Sequence, residues 1–426
     1  MKNILIIFAI LITSLYFFSF EFTFLPGFNT KKILAIIGIP LLLMNLAKSR
    51  SLFYNRDFFI LLGISLGVSI MAWFSTVYNN TSDYTYVTYF ISMLVWLSAA
   101  YTVVNLMSAI HKRIDPALIC NYLVGVCVLQ CCLALLIDFI PQFKSFVNTY
   151  IGSMSGMVGT AAIFDERNRL YGIGAAVDVA GTRFAAVELI IAYLCVHLKA
   201  LSPSKLILYL ISFLLIAFIG NMISRTTTVG VILGLAYWGV IFLYFRGRRA
   251  SLIWKYMGIL LLLVLPSVVL LYYNNELMRE YIRFGFEGFF SLWENGTWEV
   301  HSNEILEGMY RFPDSIKTWL IGDGYFENPM SDPYYTGYAW KGFYMGTDVG
   351  YLRFIYYFGL AGLFLFSFFI LKVSFSCIKV NYDWRWMFYC LAALNFIIWF
   401  KVSTDLFIVF AMFLCITEED RSVIEQ

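Results

Sequence analysis

The chain has 426 residues, 61% of them hydrophobic and only 13% charged, with a net charge of +3 and a mean hydropathy of +0.76. A water-soluble domain runs near 45–50% apolar and about 25% charged, so this composition excludes an ordinary soluble fold and indicates a lipid-embedded one. No basic tract or nucleic-acid motif appears, which argues against a nucleic-acid partner.

The expected elements are membrane-spanning helices, each needing about 20 apolar residues. Met1-Lys2-Asn3 opens an apolar run to Phe20 that lacks a small-x-small cleavage site, so it reads as a retained first helix rather than a signal peptide. Further runs follow near 33–47, 57–75, 86–107, 116–138, 183–199, 205–222, 226–245, 252–273, 349–372, 385–400 and 402–417. The predicted fold is therefore an all-α integral membrane protein, one polytopic domain over 1–426 with about 12 transmembrane helices.

Basic residues fix the expected orientation. Alternate connections carry Lys48, Arg50 and Arg56; His111, Lys112 and Arg113; Lys199 and Lys205; Arg246, Arg248, Arg249 and Lys255; and Lys372, Lys379 and Arg385. Lys31 and Lys32 run against the pattern, and the connection at Asn79-Asn80-Thr81 has no cation. Cations concentrate on the cytoplasmic side, so both termini are expected in the cytoplasm. Two long connections, 139–182 and 274–348, then fall on the outer side. The second, between helices 9 and 10, is rich in Trp, Tyr and Phe, is broken by Pro313, Pro329 and Pro333, and reads as a structured cap. A helix is expected over 303–310, with Ser302 or Asn303 at its start. Of the eight cysteines, all but Cys377, which reads as lying in a cytoplasmic loop, fall inside apolar runs, and neither long connection contains one, so no structural disulfide is expected.

Charges at membrane depth are costly and mark function by default. Arg183 opens the sixth span, Arg225 stands between two apolar runs beside three threonines, and Arg353 lies just inside the tenth. Glu188 lies five positions beyond Arg183 and faces another way. Arg183 and Arg353 also have a plainer reading, snorkelling to the interface. Lys401 and Asp405 read most simply as an i, i+4 ion pair at a helix end. Several arginines at one face suit phosphate, because a guanidinium binds its oxygens bidentately and keeps its charge when partly desolvated. For acid–base work the outer side offers His301, against Glu299, Glu304, Asp314, Asp323 and Asp348. His111 and His197 read as orientation or packing residues. His and Cys are not clustered as metal ligands, and there is no glycine-rich nucleotide loop or hydrolase elbow.

Three stretches resemble the bacterial O-antigen polymerases, which form a superfamily with the O-antigen ligases. They are Gly181-Thr182-Arg183; Ile223-Ser224-Arg225-Thr226; and a third running from Ser302-Asn303-Glu304 through Gly322-Asp323-Gly324-Tyr325 to Asp348-Val349-Gly350 and Phe358-Gly359-Leu360-Ala361-Gly362. Together they cover roughly 180–365. The family is also described by an arginine followed after ten residues by glycine in each large outer loop. Arg311 and Gly322 have that spacing, whereas Arg169 and Gly181 are one residue too far apart. The resemblance implies a metal- and cofactor-free glycosyl transfer at the outer face of the inner membrane. An undecaprenyl-pyrophosphate-linked glycan would be joined to another lipid-linked repeat unit, with a chain-length regulator as a partner. Arg183, Arg225 and Arg311, and more weakly Arg353, would hold the pyrophosphate, and His301 or Asp348 would serve as the base. Two rivals remain open: a ligase moving glycan to lipid A-core, and a flippase or secondary transporter for the lipid-linked unit.

Overall fold

The computed structural model describes residues 2–48, 52–154, 169–198, 201–245, 248–333, 335–340 and 342–416. In chain order these form α1 (Lys2–Phe17), β1 (Phe20–Phe22), α2 (Thr30–Lys48), α3 (Leu52–Asn79), α4 (Tyr89–His111), α5 (Pro116–Phe139), α6 (Pro141–Tyr150) and β2 (Ile151–Met154). There follow α7 (Val177–His197), α8 (Pro203–Ile223), α9 (Thr227–Phe245), α10 (Arg248–Asn274) and the short α11 (Glu276–Gly285), α12 (Glu287–Asn295), α13 (His301–Gly308) and α14 (Ile316–Ile321). The chain closes with α15 (Gly350–Val380), α16 (Arg385–Ile398) and α17 (Phe407–Leu414). The protein is 77% helical, and eight helices among the described residues (α3, α4, α5, α7, α8, α9, α10 and α15) are long and apolar enough to cross a membrane. The other four apolar runs form α1 with 16 residues, α2 with Pro40 inside it, α16 with 14 and α17 with 8. Arg50, Lys199 and Arg246, three of the orientation-setting cations, and 155–168 of the first long connection lie outside the described residues.

By its contacts the chain divides into two compact units. The first comprises Met1–Leu34, Thr102–Trp298 and Cys415–Gln426. Its centre is α7, buried along nearly its whole length because every neighbour packs on it. Trp238 of α9 donates to the Ala192 carbonyl at 3.0 Å, and Arg249 of α10 donates to the Val196 and Leu198 carbonyls at the end of α7, at 2.8 and 2.7 Å. The latter satisfies carbonyls that a helix end leaves open. Asp115 and Ser202 cap α5 and α8, each followed by a proline at the first helical position, where its missing N–H costs nothing. Among the described residues the chain departs from the helical expectation where β1 and β2 pair antiparallel over a small apolar cluster of Phe20, Ile137, Val147, Ile151 and Tyr171.

The second unit comprises Ala35–Tyr101 and Glu299–Leu414. Its core is aromatic, with Tyr86, Phe354, Phe358, Phe366 and Trp399 in edge and stacked contact. Helix α15 is broken in its third turn: Gly359 adopts φ +69° and ψ −174°, a region essentially reserved for glycine. Gly322, at φ +86°, ends α14 against that break, and a Cβ there would lie 2.5 Å from the Tyr357 oxygen. The carbonyls that the break frees are taken up at once. Asp323 N–H donates to Tyr356, Gly324 N–H to Tyr357 at 3.2 Å, and Ser75 Oγ to Tyr357 at 2.6 Å. An interrupted helix at membrane depth is tolerated only when protein supplies such partners.

Three local expectations are corrected. Cys377 is buried within α15, which runs on to Val380, instead of lying in a loop. Lys401 and Asp405 do not share a helix: α16 ends at Ile398, and Asp405 accepts from the Phe407 amide at 2.9 Å just before α17. The helix expected over 303–310 begins at His301, with Val300 at the cap position and no side-chain cap.

Candidate functional site

In the first unit the two arginine-bearing stretches meet. Gly181 packs against the residues flanking Arg225, and a Cβ there would lie 2.5 Å from Ser224 Oγ and 2.8 Å from Thr226 Cβ. Asp178, in the first turn of α7, accepts from Thr226 Oγ1 at 2.8 Å and from Ser224 Oγ at 3.4 Å. That carboxylate pins the unwound connection between α8 and α9, and Thr228 Oγ1 adds a bond to Asn221 at 2.6 Å. Val177, just before Asp178, holds φ +45°, a costly conformation for a β-branched side chain. The turn that carries Arg225 is thus fixed by side-chain bonds on both sides of it.

Arg225 lies flat on the Phe284 ring, 4.2 Å from its centroid, while Arg169 approaches the same ring at 4.5 Å. Arg225 Nε donates to the Phe284 carbonyl at 2.9 Å, and Nη1 pairs with Glu287 at 2.6 Å. Burial lowers the Arg225 pKa and Glu287 opposes that shift, as expected of a partly desolvated cation beside a carboxylate. Two cations on one ring with one carboxylate beside them form a cationic patch able to bind an oxyanion.

Arg183 sits one turn into α7 and is buried, its guanidinium 5.7 and 5.6 Å from the Phe17 and Phe18 ring centres. It does not snorkel. Glu188, also in α7, is fully buried, and neither carboxyl oxygen has a hydrogen-bond partner among the described residues.

In the second unit Arg353 is enclosed as well, at 7% exposure. The Phe326 and Phe343 rings cover its guanidinium at 3.7 and 3.4 Å, Ser403 Oγ accepts from Nη1 at 2.7 Å, and the Phe326 carbonyl accepts from Nη2 at 3.0 Å. Ser403 comes from the unwound stretch between α16 and α17, so the interruption that separates Lys401 from Asp405 is what delivers this partner. Asp348 lies within electrostatic reach of Arg353. Arg311 is exposed, with its Nη1 on the Met345 carbonyl at 3.1 Å and its guanidinium 5.2 Å from the Trp340 ring. His301 is exposed on the first turn of α13, with Glu304 3.9 Å from Nδ1. His111 and His197 each contact a tyrosine hydroxyl, Tyr122 at 2.9 Å and Tyr237 at 2.5 Å.

A feature not legible in the sequence is a polar cleft of about 220 Å³ in this second unit, lined by Ser82, Asp83, Tyr325, Glu327, Asn328 and Asp332 among others. Asp83 Oδ2 accepts from the Phe326 and Glu327 amides at 2.7 and 2.8 Å, and Asp332 Oδ2 accepts from the Ser82 amide at 3.2 Å and the Tyr325 hydroxyl at 3.0 Å. These bonds join two stretches more than 240 positions apart. Only the polar run Asn80-Thr81-Ser82-Asp83 between two spans marked the place in advance. Glu327 stands beside Arg353, with Oε1 3.5 Å from Nη2. Burial raises its pKa, Arg353 works against that, and Asp83 adds to it.

Asp323 belongs to the scaffold. It accepts from Lys317 Nζ at 2.7 Å, Thr318 Oγ1 at 2.8 Å and the Tyr344 hydroxyl at 3.3 Å. Among the described residues no group of three or more His, Cys, Asp or Glu side chains is arranged to hold a metal ion. No family model, curated protein or solved structure matches the chain, so its residue patterns and local geometry carry the functional reading.

Proposed function

We propose that the chain is an O-antigen (surface polysaccharide) polymerase of the bacterial inner membrane. It would cross the bilayer about 12 times, with both termini cytoplasmic and the 139–182 and 274–348 connections periplasmic. The reaction joins an undecaprenyl-pyrophosphate-linked glycan to another lipid-linked repeat unit, with lipid pyrophosphate as the leaving group. The observation that carries this reading is Arg225: a guanidinium half-sheltered at an unwound turn between two spans, with Arg169 on the same Phe284 ring. Fixed cations at that position stabilise the charge that develops on a departing pyrophosphate, where preorganised groups help most. Arg183 adds positive charge from the same unit, and Arg311 is the exposed guanidinium among the four arginines that the sequence singles out. Arg353, already engaged on both edges, acts by holding Phe326 and Glu327. For the base that takes the acceptor hydroxyl's proton, His301 and Asp348 are the candidates from the sequence.

The transporter reading is favoured by one observation, the interrupted helices at Gly359 and between α16 and α17. Both interruptions are filled by protein groups, including the Gly324 amide, Ser75, and Asn395, which accepts from the Leu406 amide at 2.9 Å. Such filling suits a rigid scaffold better than a moving gate.

Deleting the protein and sizing the lipid-linked glycans tests the reading. A polymerase leaves single repeat units, a ligase leaves long chains on undecaprenol, and a flippase leaves units on the cytoplasmic face. Arg225→Ala, stably expressed, is expected to give single units and no ladder; a normal ladder removes Arg225 from the mechanism.

A further inference from the structure

Helix α12 is built inside out. A surface helix ordinarily turns its large apolar side chains inward. In α12 the buried positions are Gly288 and Ser291, whereas Phe289, Leu292 and Trp293 are 63%, 50% and 90% exposed. Their spacing of i, i+3 and i+4 puts the three on one face. The preceding α11 has the ordinary arrangement, burying Met278, Tyr281 and Ile282. The small residues of α12 are required where they stand. A Cβ at Gly288 would lie 2.5 Å from the Trp298 ring, and Ser291 Oγ donates to the Thr297 carbonyl at 2.9 Å. The chain reverses at Gly296, with φ +73°, and its next residues fill the inner side of the helix. The apolar face is therefore left pointing outward.

Contacts within the first unit fix the level of that face. Phe290 stacks on Tyr272 with 5.5 Å between ring centres. Arg283 grips Glu294 with both nitrogens, and its Nη1 also donates to the Tyr272 hydroxyl at 3.1 Å. Tyr272 lies just before the end of α10 at Asn274. The 27 residues of α10 extend about 40 Å, against a hydrocarbon core of about 30 Å, so its last turn reaches the headgroups. Along α10, Leu262, Leu263, Leu270 and Tyr273 are exposed, as on a span that faces lipid, and the outer face of α12 continues that surface. Tyr and Trp gather where membrane meets water. Tyr273, Trp293 and Trp298 are each more than half exposed at this level.

We infer that α12 lies in the plane of the bilayer, on the side where α10 ends, with Phe289, Leu292 and Trp293 inserted between headgroups and acyl chains. Its partner is bilayer phospholipid, met by an apolar face of the kind that interfacial helices bury at that boundary. The Phe290–Tyr272 stack and the Arg283–Glu294 pair hold its orientation. Glu287, which opens α12, pairs with Arg225 at 2.6 Å, so the anchor also sets the depth of that cation. This placement holds whatever reaction the chain catalyses.

The test uses the full chain in phosphatidylcholine nanodiscs. With p-benzoylphenylalanine in place of Trp293 or of Phe289, irradiation is expected to attach phospholipid to the chain, read by mass spectrometry. In nanodiscs of brominated phosphatidylcholine, the fluorescence difference between wild type and Trp293→Phe isolates one ring among eleven tryptophans. That difference should be lost more fully with bromine placed near the headgroup than near the bilayer centre. Cross-links confined to protein, whether to other segments of the same chain or to a second copy, overturn the inference. So does Trp293 fluorescence that neither bromine quenches, which puts α12 in water. Stronger quenching from the bilayer centre overturns it too, since α12 would then lie within the hydrocarbon. If Trp293→Phe fails to stay monodisperse, the cross-link from position 289 decides.

Discussion

Replacing Gly359 with alanine tests the join between α14 and α15. At φ +69° and ψ −174° an alanine is strained by about 1–3 kcal/mol. Its Cβ would also lie 2.5 Å from Ile321 N and still closer to the Leu320 carbonyl. Neither is the flexible end of a side chain, so the two backbones must separate. Separation stretches the bonds from the Asp323 and Gly324 amides to the Tyr356 and Tyr357 carbonyls, each worth about 1 kcal/mol net. The sum is a loss of roughly 3–5 kcal/mol, or a melting temperature lower by roughly 3–6 °C for a chain of this length. Gly63→Ala is the control: it lies in α3 with nothing within 4 Å of a new Cβ, and it should gain up to about 1 kcal/mol from helix propensity. Thermal unfolding of the detergent-solubilised full chain gives the first readout, and hydrogen exchange of the 316–325 segment the second. The reasoning is refuted if Gly359→Ala melts within a degree of wild type and that segment stays equally protected.

Asp178→Ala removes the acceptor of the buried Thr226 hydroxyl and should cost about 1–3 kcal/mol, whereas Asp178→Asn keeps an acceptor and should cost less. Melting curves of the two variants check the order, and shorter glycan ladders should accompany the alanine form. Glu294 is gripped by both Arg283 nitrogens, at 2.8 and 2.7 Å, and that pairing holds its carboxyl below the usual carboxylate range. Its folded pKa is depressed, so its contribution is present above the unfolded value of about 4.3 and is lost as pH falls through the lowered one. Spin labels at positions 276 and 295 should report a widening distance distribution as pH falls from 7 to 3; the same widening in Glu294→Gln would refute the assignment.

Composition and periodicity made much of this molecule legible. Eleven of the twelve apolar runs are helical over most of their length, and the last, 402–417, only over Phe407–Leu414, because a long apolar segment has few alternatives to closing its own backbone bonds. Arg183, Arg225 and Arg353 were visible for a similar reason, since a charge within or beside a long apolar run is rare enough to stand out. What the sequence alone misjudged was local and depended on partners distant in the chain. Whether Lys401 and Asp405 share a helix depends on packing around Ser403 and Arg353, not on their four-residue spacing. Arg183 and Arg353, expected near an interface, are buried because Phe17 and Phe18 in one unit and Phe326 and Phe343 in the other arrive from remote segments. The Glu327 cleft exists only because Asp83 bonds two amides more than 240 positions away. Sequence by itself determined where most of the helices lie, because short-range hydrophobicity decides that. Tertiary structure alone decided which carboxylates are committed to holding walls, since only a folded chain brings an acceptor to its donors.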